Sequence, residues 1–384
     1  MDLTEIVSGL SLQEKERRWS LVRSMMRREG LGAIILHGHD TNELFCRYLT
    51  DMAIRASCHN MLLFPFEEDP LLLVTTRVQT YYAKRISWIS PQNVYESSNL
   101  GADLGRHILA LGLHKKRIGI ASPGRWLMQD YQAFKDLCPQ VETVEIGKAL
   151  MSIVIPKSAE EIRLVENTVQ IGELAQRTFI SNLKPGMSQE QLVSKVEEVI
   201  RANGMERRFW LMSSSPDLAY PWVSGEAIMR KPDPVVFNAE FQRTQGYACQ
   251  VVRTYCWEEP KGELKRLFEL RDEMRRIVLK ELRPGHQMSE LGKKTEAVAA
   301  EWGFETDHFG HTMGLGFIGV GGVSISSSME WTIGPNEVYV YHPMVRPKGG
   351  RGPLVWIGDM YLTGKEAPKW LTPYLTGLPE MIQG

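Results

Sequence analysis

The sequence predicts two domains, an α/β domain over residues 1–154 and an α+β domain over residues 155–384 that is built from an internal duplication. Three observations carry this. Short apolar runs alternate with helical spacing through roughly the first 150 residues, which is the pattern of layered helices and strands. The stretch Ile155-Pro156-Lys157-Ser158 interrupts that pattern and opens a long helix. Beyond it, Leu183-Lys184-Pro185-Gly186-Met187-Ser188-Gln189-Glu190-Gln191-Leu192 is echoed by Leu282-Arg283-Pro284-Gly285-His286-Gln287-Met288-Ser289-Glu290-Leu291, and each copy leads into glycine-punctuated β-segments. The length of 384 residues agrees, since one average core does not serve so long a chain.

In chain order, Leu12, Trp19, Leu21, Val22 and Met25 lie among charges at helical spacing over residues 11–30, and Gly30 ends that helix. Residues 33–36, 61–66, 71–75 and 118–121 read as strands, with helices over 99–113 and 127–138 between some of them. Arg55, His59 and Tyr81 are either exposed binding residues or surface side chains without a role. Ser158 suits an N-cap, and Glu160 and Glu161 suit the positive end of a helix dipole, so a helix runs from 159 to 182. Helices over 188–203, 262–281 and 288–302 complete two copies of a unit made of helix, Pro-Gly turn, helix and strands. Two such halves related by a pseudo-twofold would each supply strands to one curved sheet, with a site between them.

Composition narrows the function. Forty-five basic against 46 acidic residues leave a net charge of −1, so no overall field draws in nucleic acid or an anionic membrane, and neither partner is expected. Cys46, Cys58, Cys138, Cys249 and Cys256 are odd in number and lack CxxC spacing, which argues against a disulfide framework or a structural zinc site. The N-terminus has acidic residues where a signal peptide needs a basic start, and no apolar run reaches the roughly 18 residues of a membrane span, so a cytoplasmic location is expected. Chemistry concentrates at 307–316, where His308 and His311 stand three apart beside Gly310, Gly314 and Gly316. This is either a pocket wall that other groups approach closely or a glycine-rich turn whose histidines are merely hydrogen-bonded.

The order of IPKSAEEI, both Pro-Gly turns, GYACQVVRTY, GHTMGLG, VYVYHPM and LVWIGDMYLT resembles the creatinase and methionine-aminopeptidase superfamily over nearly the whole chain. That resemblance implies the pita-bread fold, in which creatinase, prolidase and aminopeptidase P place an α/β domain before a duplicated catalytic domain. The peptidases of the superfamily hold two divalent metals with two aspartates, one histidine and two glutamates. Motif by motif, those positions are Asn238, Gln250, His311, His342 and Gly358 here. The resemblance therefore implies no dinuclear site, and neither metal nor other cofactor is expected; the residual alternative is a single ion on His308, His311, His342 and Glu240. The metal-free relatives, with creatinase and ectoine hydrolase as types, share an asparagine at 238. Creatinase's catalytic histidine corresponds to Tyr220, its glutamate before Arg-Thr to Val252, and its creatine-binding arginine to the neighbourhood of His59 and Arg55, so creatine is not expected as the substrate.

The pocket implied in this way is lined by Tyr220, Asn238, Glu240, Gln250, His308, His311, His342 and Asp359. Replacing carboxylates by amides and imidazoles favours a neutral or anionic small-molecule substrate. His311 or His342 would be the general base and the other the acid, with His308 beside them and Tyr220 as donor to a leaving group or oxyanion. Asn238, Glu240, Gln250, Asp359, Arg55 and His59 would bind the substrate, the last two from the N-terminal domain of a second copy in a homodimer. The plainer reading makes Asn238 and Gln250 ordinary buried amides, Tyr220 a packing residue, Arg253 a brace for the sheet and 346–352 a hairpin tip rather than a lid. The function expected is a metal-independent acid/base enzyme acting on a small polar metabolite by C–N hydrolysis or by C–C, C–O or C–S elimination. The alternatives are a catalytically silent peptidase-like binding protein and an Xaa-Pro-type metallopeptidase.

Overall fold

The structure is a computed structural model that describes residues 9–39, 42–54, 58–214, 221–223, 225–316, 322–350, 352–373 and 382. Arg55, Tyr220 and Arg351 lie outside the described residues. Met1–Ile155 form the body of one compact unit, and Pro156–Gly314 with Gly322–Gly384 form the other.

The first unit opens with α1 (Leu12–Glu29). The Ser11 hydroxyl accepts from the Glu14 N–H at its start, and Gly30 closes it in the left-handed conformation. Its buried face carries Trp19, Val22, Met25 and Met26. The strands are β1 (Ala33–His39), β2 (His59–Pro65), β3 (Leu71–Val74), β4 (Val94–Glu96), β5 (Ile118–Ala121) and β6 (Thr143–Glu145), in the order β4-β3-β2-β1-β5-β6. β2 runs antiparallel to both neighbours while the β3–β4, β1–β5 and β5–β6 pairs are parallel. Between them lie α2 (Leu44–Thr50), α3 (Arg77–Ile86), α4 (Leu100–Ala110) and α5 (Met128–Leu137), and α6 (Gly147–Val154) follows β6. Ile35, Leu63 and Leu73 from the sheet form one apolar core with Leu104, Ile108 and Phe134 from α4 and α5. β1 is three residues longer than the apolar run suggested, because His37 to His39 continue the ladder against Met61 to His59.

The second unit contains the duplication. Its first half comprises α7 (Ala159–Asn182), α8 (Gln189–Ala202), β7 (Met205–Ser213), β8 (Trp222–Val223), β9 (Val235–Arg243) and β10 (Ala248–Tyr255). Its second half comprises α9 (Gly262–Glu281), α10 (Met288–Glu301), β11 (Phe304–Asp307), β12 (Gly310–Thr312), β13 (Val338–Tyr341), β14 (Met344–Pro347), β15 (Val355–Trp356), β16 (Asp359–Leu362) and β17 (Lys369–Trp370). Capping boxes at Ser158/Glu161 and Ser188/Gln191 start α7 and α8, each tying up two N–H groups that a helix start leaves free.

The two Pro-Gly turns are alike in hydrogen bonding as well as in sequence. Gly186 and Gly285 have φ of 87° and 89°. The Gly186 N–H donates to the Met229 carbonyl and the Met229 N–H to Met187, while Gly285 donates to Ile333 and Ile333 to His286. One glycine-dependent turn thus pins the helix pair of each half to a distant segment.

The strands form sheets ordered β10-β9-β7-β8, β11-β14-β15 and β12-β13-β16-β17. Val252 in β10 and Gly358, just before β16, exchange two backbone hydrogen bonds of 3.2 and 3.0 Å, which joins the first half to the second. On α7 the fully buried Gln176 donates to the carbonyls of Phe237 and Val251 and accepts from the Tyr255 hydroxyl, so one amide holds β9 and β10 against the helix.

Candidate active site

Asn238 and Glu240 are two apart on β9, and the antiparallel register sets Val252 and Gln250 of β10 directly opposite them, so all four side chains share one face. Each is buried. The Gln250 amide donates to Asn238 Oδ1 at 3.1 Å, and the Asn238 amide donates to the Phe209 carbonyl at 3.4 Å. Each amide thus gives at least one N–H to a partner within the protein. Gln250 Oε1 and Glu240 Oε1 have no partner among the described residues. Burial pushes the Glu240 carboxyl well above the usual carboxylate range, only partly offset by a hydrogen bond from Asn238, so it tends to its neutral form.

The histidines come from the second half. In the β12–β13 pair Gly310 faces Tyr341 and His311 faces Val340. A Cβ on Gly310 would stand 2.0 Å from the Val340 carbonyl oxygen, so only glycine lets the strands close there. His342 follows β13, and its N–H donates to the Phe309 carbonyl at 2.9 Å. The rings of His311 and His342 meet edge to face, with centroids 5.4 Å apart. His311 Nδ1 lies 3.0 Å from the Thr312 carbonyl oxygen. The Trp356 indole N–H donates to the His342 carbonyl at 2.6 Å and lies 3.4 Å from His342 Nδ1, while His342 Nε2 has no partner among the described residues.

Burial, then the charge of His311, pushes His342 down to about 3, and burial lowers His311 as well. Both rings are thus uncharged near neutral pH. His308, exposed and left-handed at φ 50°, acts on His342 in both directions: its backbone hydrogen-bonds the His342 ring, which raises it, and its side-chain charge lowers it by less.

Gly358 connects the two groups of residues. A Cβ there would lie 2.7 Å from Val252 Cγ2 and 2.8 Å from His342 Cβ, so the amide face of β10 and the His342 ring flank the same backbone position. Asp359 faces elsewhere. Its Oδ1 accepts from Arg253 at 2.7 Å and from the Thr372 hydroxyl at 2.9 Å, and its Oδ2 lies 3.3 Å from Arg275 and 3.6 Å from Arg271. The carboxylate expected to meet substrate is thus committed to an arginine cluster. Arg253 also donates to the Val252 and Gly358 carbonyls, which makes it the brace of the β10 junction. His59 belongs to the first unit, where its ring lies 5.7 Å from His37 and 5.9 Å from His39. Arg346, at the start of the 346–352 loop, pairs with Glu305 and Asp307 across β11 and β14.

The model of metallopeptidase family M24 matches residues 163–365, more than half of the chain. The chain belongs to family M24. Among its relatives, the Xaa-Pro dipeptidase of Pyrococcus horikoshii is 23% identical over 64% of this chain and 70% of that protein, and a creatinase from a Bacillus species is 22% identical over 89% and 86%. An uncharacterized peptidase of Bacillus subtilis is 24% identical over 48% of this chain, a match that spans about half of that relative, 53%. Of solved structures, dipeptidase PepE from Mycobacterium ulcerans superposes with a TM-score of 0.83 at 17% identity over 97% and 98% of the two chains, and the prolidase from Pyrococcus horikoshii with 0.80 at 19% over 94% and 99%. These likenesses show the pita-bread fold.

They also correct the sequence reading. A metal-independent enzyme for a small polar metabolite, hydrolytic or eliminating, gives way to a peptidase-type hydrolase, because peptidases, Xaa-Pro dipeptidases above all, predominate among the named relatives.

At the positions that the resemblance gives as ligands of two divalent ions stand Asn238 and Gln250, bonded to each other, Gly358, with no room for a side chain, His342, whose Nδ1 lies 3.4 Å from an indole nitrogen, and His311. Among the described residues no group of three or more His, Cys, Asp or Glu could hold a metal ion. Two hard cations need anionic oxygens, and these residues do not supply them, so they do not fit the pair. The sequence reading missed Trp356 and the Thr312 carbonyl. Trp356 read only as part of a strand pattern, and a backbone oxygen leaves no trace in residue identity.

Proposed function

We propose that this M24 chain hydrolyses the C–N bond of a short peptide, with the His311–His342 pair as the reacting centre. The observation that carries the proposal is that pair: two uncharged imidazoles 5.4 Å apart, with His342 Nε2 unpartnered among the described residues, beside a buried polar face. The peptidase names of the relatives supply the substrate class. One imidazole takes a proton from water as it attacks the peptide carbonyl, and the other hydrogen-bonds the oxygen on which charge develops. Gln250 Oε1 and Glu240 Oε1, without a hydrogen bond among the described residues, serve as acceptors for the substrate's N–H groups.

The test is a panel of dipeptides with and without a C-terminal proline, incubated with the full chain and analysed by chromatography for released amino acids. It is run once with chelator and once with added manganese. Cleavage of at least one peptide is expected, with kcat/KM falling about 100-fold or more in His311→Ala. Absence of any cleavage by the unsubstituted chain under both conditions overturns the proposal.

A further inference from the structure

We infer that the layer between α9 and the β13–β16 pair binds a small monovalent anion, of the size and charge of chloride, on Arg271 Nη1 and the Tyr361 hydroxyl. The register puts four side chains on one face of that strand pair, since Tyr339 stands opposite Tyr361 and Tyr341 opposite Asp359. Arg271 and Arg275, one turn apart on α9, both reach Asp359 on that face. Arg271 and Tyr361 are fully buried. Their neighbours are satisfied. The Tyr339 hydroxyl donates to Glu337, the Tyr341 hydroxyl pairs with Thr295 at 2.8 Å, and Arg271 donates from Nε and Nη2 to the Ile357 carbonyl at 2.9 and 2.8 Å. Arg271 Nη1 and the Tyr361 hydroxyl, by contrast, have no partner among the described residues.

Charge is unevenly matched at the same place. Among the described residues Arg271 pairs with one carboxylate, Asp359 at 3.6 Å, which Arg253 at 2.7 Å and Arg275 at 3.3 Å also claim. Asp272 meets Arg275 from a half-exposed position and does not reach Arg271. A guanidinium stays charged even so. Burial, then the charge of Arg275, acts against the Arg271 cation, while burial, then the charge of Asp359, pushes the Tyr361 phenol up, so that it keeps its proton and can donate it. The charge of each group acts on the other, which places them close together. A buried cationic N–H and a buried phenolic O–H, both unpaired, are donors that an anion satisfies while balancing the excess charge. A divalent anion would be repelled by Asp359, so a single charge suits the place. Arg271 holds the carbonyl of Ile357, the residue before Gly358, so the ion steadies the β10 junction from behind without touching substrate.

The test is thermal unfolding of the full chain, purified without chloride, at a fixed ionic strength of about 0.2 M in which chloride progressively replaces gluconate. The midpoint is expected to rise by about 2–4 °C and to level off as the site fills. Bromide should act as chloride does, and crystals soaked in bromide should show its anomalous signal beside Arg271 Nη1 and the Tyr361 oxygen. Tyr361→Phe removes one donor and almost no volume, so it is expected to lose at least about half of the chloride-dependent rise. A midpoint of the unsubstituted chain that ignores chloride overturns the inference, because a water molecule then satisfies both donors as well. An equal rise in Tyr361→Phe marks a general salt effect and overturns it too. If Tyr361→Phe does not fold, the bromide signal decides: a peak at Arg271 sustains the inference, and no peak there overturns it.

Discussion

A methyl group at position 358 would stand 2.7 Å from Val252 Cγ2 and 2.8 Å from His342 Cβ, closer than real Cβ contacts come, and neither neighbour is the loose end of a flexible chain. Gly358→Ala should therefore push the His342 ring or open the β10 junction, at a cost of about 1–3 kcal/mol seen as a lower thermal midpoint, and should depress activity by more than its stability loss explains. One residue on, Asp359 pairs with Arg253, Arg271 and Arg275, the last of which also meets Asp272. Burial alone would raise its carboxyl, but Arg253 and then Arg275 and Arg271 prevail and hold it down to about 2. A depressed carboxylate stabilises the fold fully above its ordinary pKa, near 3.8, and that contribution fades as pH falls toward 2. Removing it at neutral pH leaves buried cations uncompensated, so Asp359→Asn should cost about 3–5 kcal/mol in urea unfolding. The sequence placed Asp359 among the substrate contacts because it follows a ligand position of the family. Arg271 and Arg275, which claim it, come from a helix over 80 residues away, and nothing local announces that pairing.

At the scale of elements, the helices were legible and the contacts between strands were not. Ser158 and Ser188 with Glu161 and Gln191 three residues on spell out two helix starts in sequence, and both capping boxes form. The repeated Pro-Gly turn was legible too, and its physical basis is testable. Gly186 and Gly285 both adopt φ near 88° with open space around a would-be Cβ, so an alanine there suffers only the backbone penalty. Gly186→Ala and Gly285→Ala should each lower stability by about 1–2 kcal/mol, and by similar amounts, in equilibrium unfolding. Clearly unequal losses would contradict the equivalence of the two halves. Cross-strand partnership was illegible. Gln250 faces Glu240 and donates to Asn238 because of a register that periodicity alone does not set. In the first unit, His37 and His39 show the two-residue spacing of one strand face, but the third imidazole, His59, joins them only through β2.

Across the whole molecule, two buried histidines tie stability to pH. Burial, then the charges of His59 and His39, pushes His37 down to about 4; neither of its nitrogens makes a hydrogen bond among the described residues, and Nε2 stands 3.9 Å from Asp130 Oδ2. His342 is pushed down to about 3. Each is neutral when folded but takes up a proton near pH 6.5 when unfolded, so their contribution is complete above pH 6.5 and is lost as pH falls through 6.5 toward 4 and 3. The unfolding free energy should drop by about 2 kcal/mol per histidine between pH 7 and pH 5, and His37→Asn should remove the share belonging to His37.

The pH dependence of peptide cleavage tests the central claim most directly, because it asks whether uncharged imidazoles do the work. With burial holding His311 below 6.5, kcat/KM should be level from about pH 7 to 8.5, decline only below pH 6.5, and fall about 100-fold or more in His311→Ala. A rate that instead tracks a group titrating above pH 7, or that is undiminished by loss of the His311 ring, would contradict the assignment of this site.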